Sequence, residues 1–166
     1  MKRVAAIDCG TNSIRLLISD IDEEKNQATD VVRELRIVRL GEGVDKTKAF
    51  SPKALERTFK AIDEYEEILK KHNVENLKFV ATSATRDALN KAMFIKGVID
   101  RLRVVPEVIP GTLEAKLSFE GATNSFDFKF YVAIYNFCCI CITILFFHDT
   151  KSPTTICFLA SLTSHK

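Results

Sequence analysis

Val4 to Ile18 reads VAAIDCGTNSIRLLI. An apolar run, Val4 to Ile7, ends in an acid, Asp8. A small polar turn follows: Cys9, Gly10, Thr11, Asn12, Ser13. A second apolar run, Ile14 to Ile18, leaves the turn. Both runs are short and β-branched residues recur, so strand, turn, strand is the expected reading. The turn carries what a phosphate needs. Gly10 is expected to take positive φ and let the backbone come close to a ligand. Thr11, Asn12 and Ser13 add hydroxyl and amide donors beside main-chain N–H groups, and successive N–H groups in a turn form an anion-binding concavity. Asp8, at the strand end, is placed to orient water or hold a hydrated Mg²⁺. The competing reading is an ordinary hairpin turn in which Gly and Asn supply only geometry.

Beyond the hairpin, Asp20 to Asp30 is polar and reads as a turn. A third strand is expected over the later half of Thr29 to Leu40, completing an antiparallel meander. Arg39-Leu40-Gly41-Glu42-Gly43-Val44 closes it as a turn, with a phosphate-approaching loop as the alternative. Ser51-Pro52 starts a helix, serine as cap and proline at the first helical position. Leu55, Phe59, Ile62 and Leu69 follow at helical spacing, and His72 falls where it caps the end or meets solvent. Leu77 to Thr82 is a short apolar strand, expected parallel to the first because a helix precedes it. Thr82 to Asp87 then lies at the carboxyl edge of the sheet, where open α/β sheets bind ligands. Its three hydroxyls and Arg86, whose planar fork suits phosphate oxygens, make a second candidate phosphate contact. A local ion pair of Arg86 is the alternative. Asn90 is expected to cap a helix with Ala92, Ile95, Val98, Ile99 and Leu102 on its buried stripe. Val104 to Ile109 reads as an edge strand, and Pro110-Gly111-Thr112 leads into a last helix carrying Glu114 in its first turn. Glu114 suits either the helix dipole or a general base facing the carboxyl edge.

The chain has 166 residues, enough for one ordinary domain, and a formal charge of +2, which calls for neither a nucleic acid nor a membrane surface. A single cysteine, Cys9, within residues 1–122 leaves no disulfide framework there, so a reducing cytoplasm is the expected compartment. The composition breaks near Ala122–Thr123. Residues 123–166 hold three of the 24 Lys and Arg, two of the 22 Asp and Glu, four of the five Cys, seven of the twelve Phe, and no Gly. The expected division is therefore 1–122, an incomplete phosphate-binding domain, and 123–166, an aberrant tail. Within the tail, 130–147 runs for 18 residues without a charge, a length that can span a bilayer. One reading is a membrane anchor. The other is out-of-frame translation, preferred because it accounts for the break, the lost glycine and the excess cysteine together.

Four stretches in order, AAIDCGTNSIRLLI (5–18), RLGEGVD (39–45), ATSATRDALN (81–90) and VIPGTLEAKLSFEGA (108–122), resemble the amino-terminal part of the exopolyphosphatase / guanosine pentaphosphate phosphohydrolase (Ppx/GppA) family. The resemblance implies an α/β, ribonuclease H-like half-domain of the actin and sugar-kinase type, a meander followed by βαβ units. It implies removal of terminal phosphate from inorganic polyphosphate or guanosine pentaphosphate, with Mg²⁺ as cofactor. It assigns Asp8, Gly10, Thr11, Asn12 and Ser13 to the first phosphate loop, Asp8 also to the metal, Arg86 to phosphate, and Glu114 to the base that activates water.

This chain has Pro110-Gly111 where the family usually has Ser-Gly, and Lys116 where it usually has Arg. The family's second Gly-rich phosphate loop has no counterpart in residues 123–166. The expectation is a phosphohydrolase-family fragment, inactive or nearly so alone. The alternative is a non-catalytic phosphate- or nucleotide-binding module of the actin-like fold.

Overall fold

The computed structural model describes residues 1–25, 27–123, 130–137, 140–147 and 157–159. The chain falls into two compact units, Met1–Ile109 and Pro110–Lys166.

In the first unit, β1 (Lys2–Cys9), β2 (Ser13–Asp22) and β3 (Gln27–Ile37) form the expected antiparallel meander. After α1 (Val44–Thr47) and α2 (Pro52–Lys71), β4 (Asn76–Ala81) returns parallel to β1. Next come α3 (Ser83–Asp87), α4 (Lys91–Leu102) and the two-residue β5 (Glu107–Val108), parallel to β4. The sheet order is β3-β2-β1-β4-β5. Side chains alternate across a strand, so Ala5, Ile7 and Cys9 share one face with Ile14, Leu16, Ile18, Phe79 and Ala81, all buried. Asp8 lies on the other face, exposed, opposite Arg15 of β2.

The core forms between the buried face and α2 and α4. Ser51 caps α2 as expected, its Oγ accepting from the Ala54 N–H at 3.2 Å, and Pro52 opens the helix. Leu55, Ile62, Tyr65 and Leu69 are buried, and Tyr65 donates its hydroxyl to the Ile14 carbonyl at 2.9 Å, tying α2 to β2. His72 is the C-cap of α2.

Several expectations are corrected. The polar stretch Asp20 to Asp30 does turn, but the turn is short, with residues 23–25 in it, and on either side the ladder runs on through Asp20↔Thr29, Ile21↔Ala28 and Asp22↔Gln27. A backbone ladder needs no apolar side chains, and β3 is an edge strand whose residues over 27–31 are exposed. Charges there also discourage pairing with other chains. Asn90 stands before α4 but makes no side-chain cap. Its amide group instead accepts from the Phe50 N–H at 2.8 Å and donates to the Phe50 carbonyl at 3.0 Å, a tertiary bond across forty positions. Ala92 is exposed, and the buried anchors of α4 are Phe94 and Val98. The strand read at Val104 to Ile109 shrinks to β5, with Pro106, which has no N–H, just before it.

The second unit holds α5 (Gly111–Thr123), β6 (Phe130–Phe137), β7 (Ile140–Phe147) and β8 (Cys157–Leu159). The three strands form an antiparallel sheet in the order β6-β7-β8. The uncharged stretch runs as the β6–β7 pair, Phe130 opposite Phe147, with 138–139 outside the described residues. Among the described residues, no helix is long and apolar enough to cross a membrane. The compositional join at Ala122–Thr123 falls at the end of α5, against residues 124–129, which lie outside the described residues.

Candidate functional site

In the first unit, β1, β4 and β5 end on one edge. The Thr82 N–H donates to the Cys9 carbonyl at 3.2 Å and the Ile109 N–H to the Ala81 carbonyl at 3.1 Å, which carries the ladder past the strand ends. Three segments gather at this carboxyl edge: the Gly10–Ser13 turn, the RLGEGVD segment and α3. The turn is closed by the Gly10 N–H on the Ser13 carbonyl at 2.9 Å. The Asn12 carbonyl then accepts two N–H groups, from Val38 at 3.0 Å and Arg39 at 2.9 Å. The Thr11 carbonyl accepts from the Gly41 N–H at 2.9 Å. On the other flank, the Thr11 and Ser83 hydroxyls share a hydrogen bond of 2.7 Å. The turn is thus held from both sides by long-range bonds, more than a hairpin needs.

Glycine has a different role here from the one expected. Gly10 does not adopt positive φ; Gly43 does, at +81°, where it precedes α1. The nearest atom to a Cβ built at Gly10 is the Ser13 carbonyl oxygen at 3.4 Å, an ordinary contact. Neither Thr11 nor Asn12 has positive φ, so the turn closes without the left-handed residues that the primed hairpin turns require.

Of the three hydroxyls expected to form the second contact, two belong to buried residues. Thr82 and Thr85 are buried, and only Ser83, half-buried, reaches the turn. For Thr85 the cause is local: Ser83 to Asp87 is a helical turn, and its periodicity carries Ala84 and Thr85 into the core. Arg86 is half-buried, and its Nη1 donates to the Ile109 carbonyl at 2.6 Å, fastening α3 to the end of β5. Glu114 belongs to the second unit, in the first turn of α5, where its N–H donates to the Pro110 carbonyl at 3.0 Å. Asn12 is exposed; Asp8, Gly10, Thr11, Asn12, Ser13 and Arg86 all lie in the first unit at the carboxyl edge.

Arg57 was not legible as part of the site. From α2 its Nε donates to the Val38 carbonyl at 2.9 Å and its Nη2 to Glu42 Oε2 at 2.6 Å, bracing the RLGEGVD segment from outside. A lone arginine on a charged helix face gives no signal of that reach. Cys9 is the one thiol at the site. Burial and the nearby Asp8 charge push it well above the ordinary thiol range, so it is held neutral and is no nucleophile. Among the described residues, no three His, Cys, Asp or Glu side chains group to hold a metal ion.

A meander leading into parallel βαβ units, with loops gathered at the carboxyl edge, defines a mixed α/β fold of the actin-like ATPase class. The chain belongs to the Ppx/GppA phosphatase family, whose family model matches residues 17–134. It is 50% identical over 131 residues to exopolyphosphatase 2 of Mycobacterium tuberculosis, across 75% of this chain and 41% of that protein. It is 29% identical over 121 residues to guanosine-5'-triphosphate,3'-diphosphate pyrophosphatase of Photobacterium profundum, across 73% of this chain and 24% of that one. The crystal structure of an exopolyphosphatase-like protein matches with a TM-score of 0.78 and 40% identity, across 96% of this chain and 50% of that one. The chain therefore spans well under half the length of these curated relatives.

Proposed function

We propose that this chain carries the phosphate-binding part of a phosphohydrolase acting on the terminal phosphate of a phosphoanhydride chain, inorganic polyphosphate before guanosine pentaphosphate. The observation that carries the reading is the turn at Gly10–Ser13, fixed on both flanks at the carboxyl edge. A rigid turn offers its N–H and hydroxyl donors to phosphate oxygens without reorganising when the ligand arrives. The preference for polyphosphate rests on the 50% identity to a protein named exopolyphosphatase, against 29% to one named for a guanosine substrate.

The roles follow the chemistry of each group. Asp8, exposed at the strand end, suits a Mg²⁺ that takes one carboxylate and fills its other positions with water and phosphate oxygens. The bound ion would neutralise charge on the phosphate chain. Arg86, by its resemblance to the family's phosphate-contacting arginine, would bring its planar fork to phosphate oxygens. In the family's reaction, water attacks the terminal phosphorus, the bond to the bridging oxygen breaks, and the water's proton passes to a carboxylate. Glu114 is the residue we assign to that base.

Titration calorimetry of the chain with tripolyphosphate, with and without Mg²⁺, tests the reading. Saturable binding that Mg²⁺ strengthens is expected, with ATP binding more weakly. No heat at millimolar tripolyphosphate would overturn it.

A further inference from the structure

Gly41 has a negative or extended φ, so backbone freedom does not explain why glycine stands there. Space does. A Cβ at Gly41 would lie 2.3 Å from Thr11 Cγ2, and 3.3 Å from both Thr11 Cβ and Ala84 Cβ. The first distance is impossible and the others are tight, so an alanine must move the Thr11 methyl. Threonine is branched at Cβ, and turning χ1 to move the methyl also moves the hydroxyl. That hydroxyl is the one bonded to Ser83 at 2.7 Å. The Gly41 N–H meanwhile holds the Thr11 carbonyl at 2.9 Å. One side chain therefore reads two neighbours at once, and neither can change without the other.

We infer that Gly41, Thr11 and Ser83 form a latch that sets the Gly10–Ser13 turn, and that Gly41 is its positioning residue. The consequence for phosphate rests on the reading that this turn binds it. Two hydroxyls that share one hydrogen bond use one O–H hydrogen between them. The second O–H is not used in that bond, and the latch keeps the oxygen that bears it at the turn, where it can be given to a phosphate oxygen. In this account Gly41 never touches the ligand.

The test is a double-mutant cycle of Gly41→Ala and Thr11→Ser in the full chain. Thr11→Ser deletes the obstructing methyl and keeps the hydroxyl. Two quantities are read: amide hydrogen exchange at positions 38, 39 and 41, and the dissociation constant for tripolyphosphate. Gly41→Ala is expected to speed exchange at these amides and to weaken binding about tenfold. Whatever Thr11→Ser costs by itself, the double variant should return to the level of Thr11→Ser in both readouts. Unchanged exchange in Gly41→Ala overturns the latch. So does a double variant as impaired as Gly41→Ala, because the effect would then not run through the Thr11 methyl. Restored exchange in the double variant, with no tripolyphosphate bound even by the wild-type chain, would uphold the latch and overturn the phosphate reading.

Discussion

Gly10 and Gly41 lie at one site for opposite reasons. A Cβ at Gly41 meets Thr11 at 2.3 Å, whereas one at Gly10 meets nothing closer than a carbonyl oxygen at 3.4 Å. Gly10 also has no positive φ. Among the described residues, nothing packed against position 10 therefore demands glycine there. Gly10→Ala is expected to leave the melting temperature within about 2 °C of wild type while weakening tripolyphosphate binding several-fold. A melting temperature that falls with the affinity would show that Gly10 acts through the fold. Glycine in both motifs was evident from the residues alone. Which glycine is required by packing was not, because the difference lies in what stands opposite each one.

Among the elements, α4 was the one whose helical period was right and whose anchor was missed. Phe94 is fully buried, edge-on to Phe50 at 5.8 Å and to Phe79 at 6.2 Å, and stacked on Phe59 at 6.3 Å. It joins α4 to α2, to β4 and to the chain entering α2. Gly97 allows the approach: a Cβ there would strike the Phe59 ring at 2.3 Å. Phe94→Ala removes the hub of four rings and leaves a cavity, at a cost of about 3–5 kcal/mol. Urea unfolding should show this as a lower midpoint with little change in slope. A loss under about 1 kcal/mol would mean that these rings do not organise the core. Within the stretch Thr82–Asp87, the helical turn α3 is an element too, and its period is what buries Thr85.

At the scale of the whole molecule, the first unit is closed by ion pairs that span its sequence. Arg3 grips Asp20 at 2.7 and 2.8 Å and also donates to the His72 carbonyl at 3.2 Å, joining β1, β2 and the end of α2. The hydrogen bonds from Arg3 hold the Asp20 carboxyl below the usual carboxylate range, and those from Arg33, then Ser19, do the same for Asp30. A carboxyl lowered in the folded state stabilises it above the unfolded pKa, roughly 4. That stability is lost as pH falls through the lowered folded values. The melting temperature should therefore stay level from about pH 7 to pH 5 and drop below about pH 4. Asp20→Asn should flatten part of the drop, and an unaltered acid profile in this variant would count against the Arg3–Asp20 contribution. The Arg33–Asp30 pair is exposed and the Arg3–Asp20 pair only half-buried, so the drop should shrink at high salt.

Local patterns were enough for the meander, the return of β4 beside β1, the cap at Ser51 and the place of Thr82–Asp87 at the carboxyl edge. Strand alternation, helical spacing and capping are properties of neighbours along the chain, and residues a few positions apart encode them. The pairing of Gly41 with Thr11, the reach of Arg57 to Val38 and Glu42, the bond of Asn90 to Phe50, and the burial of Thr82 and Thr85 could be known only once the chain was folded. Each joins groups far apart along the chain or depends on which way a short helical turn faces, and packing against distant segments sets both.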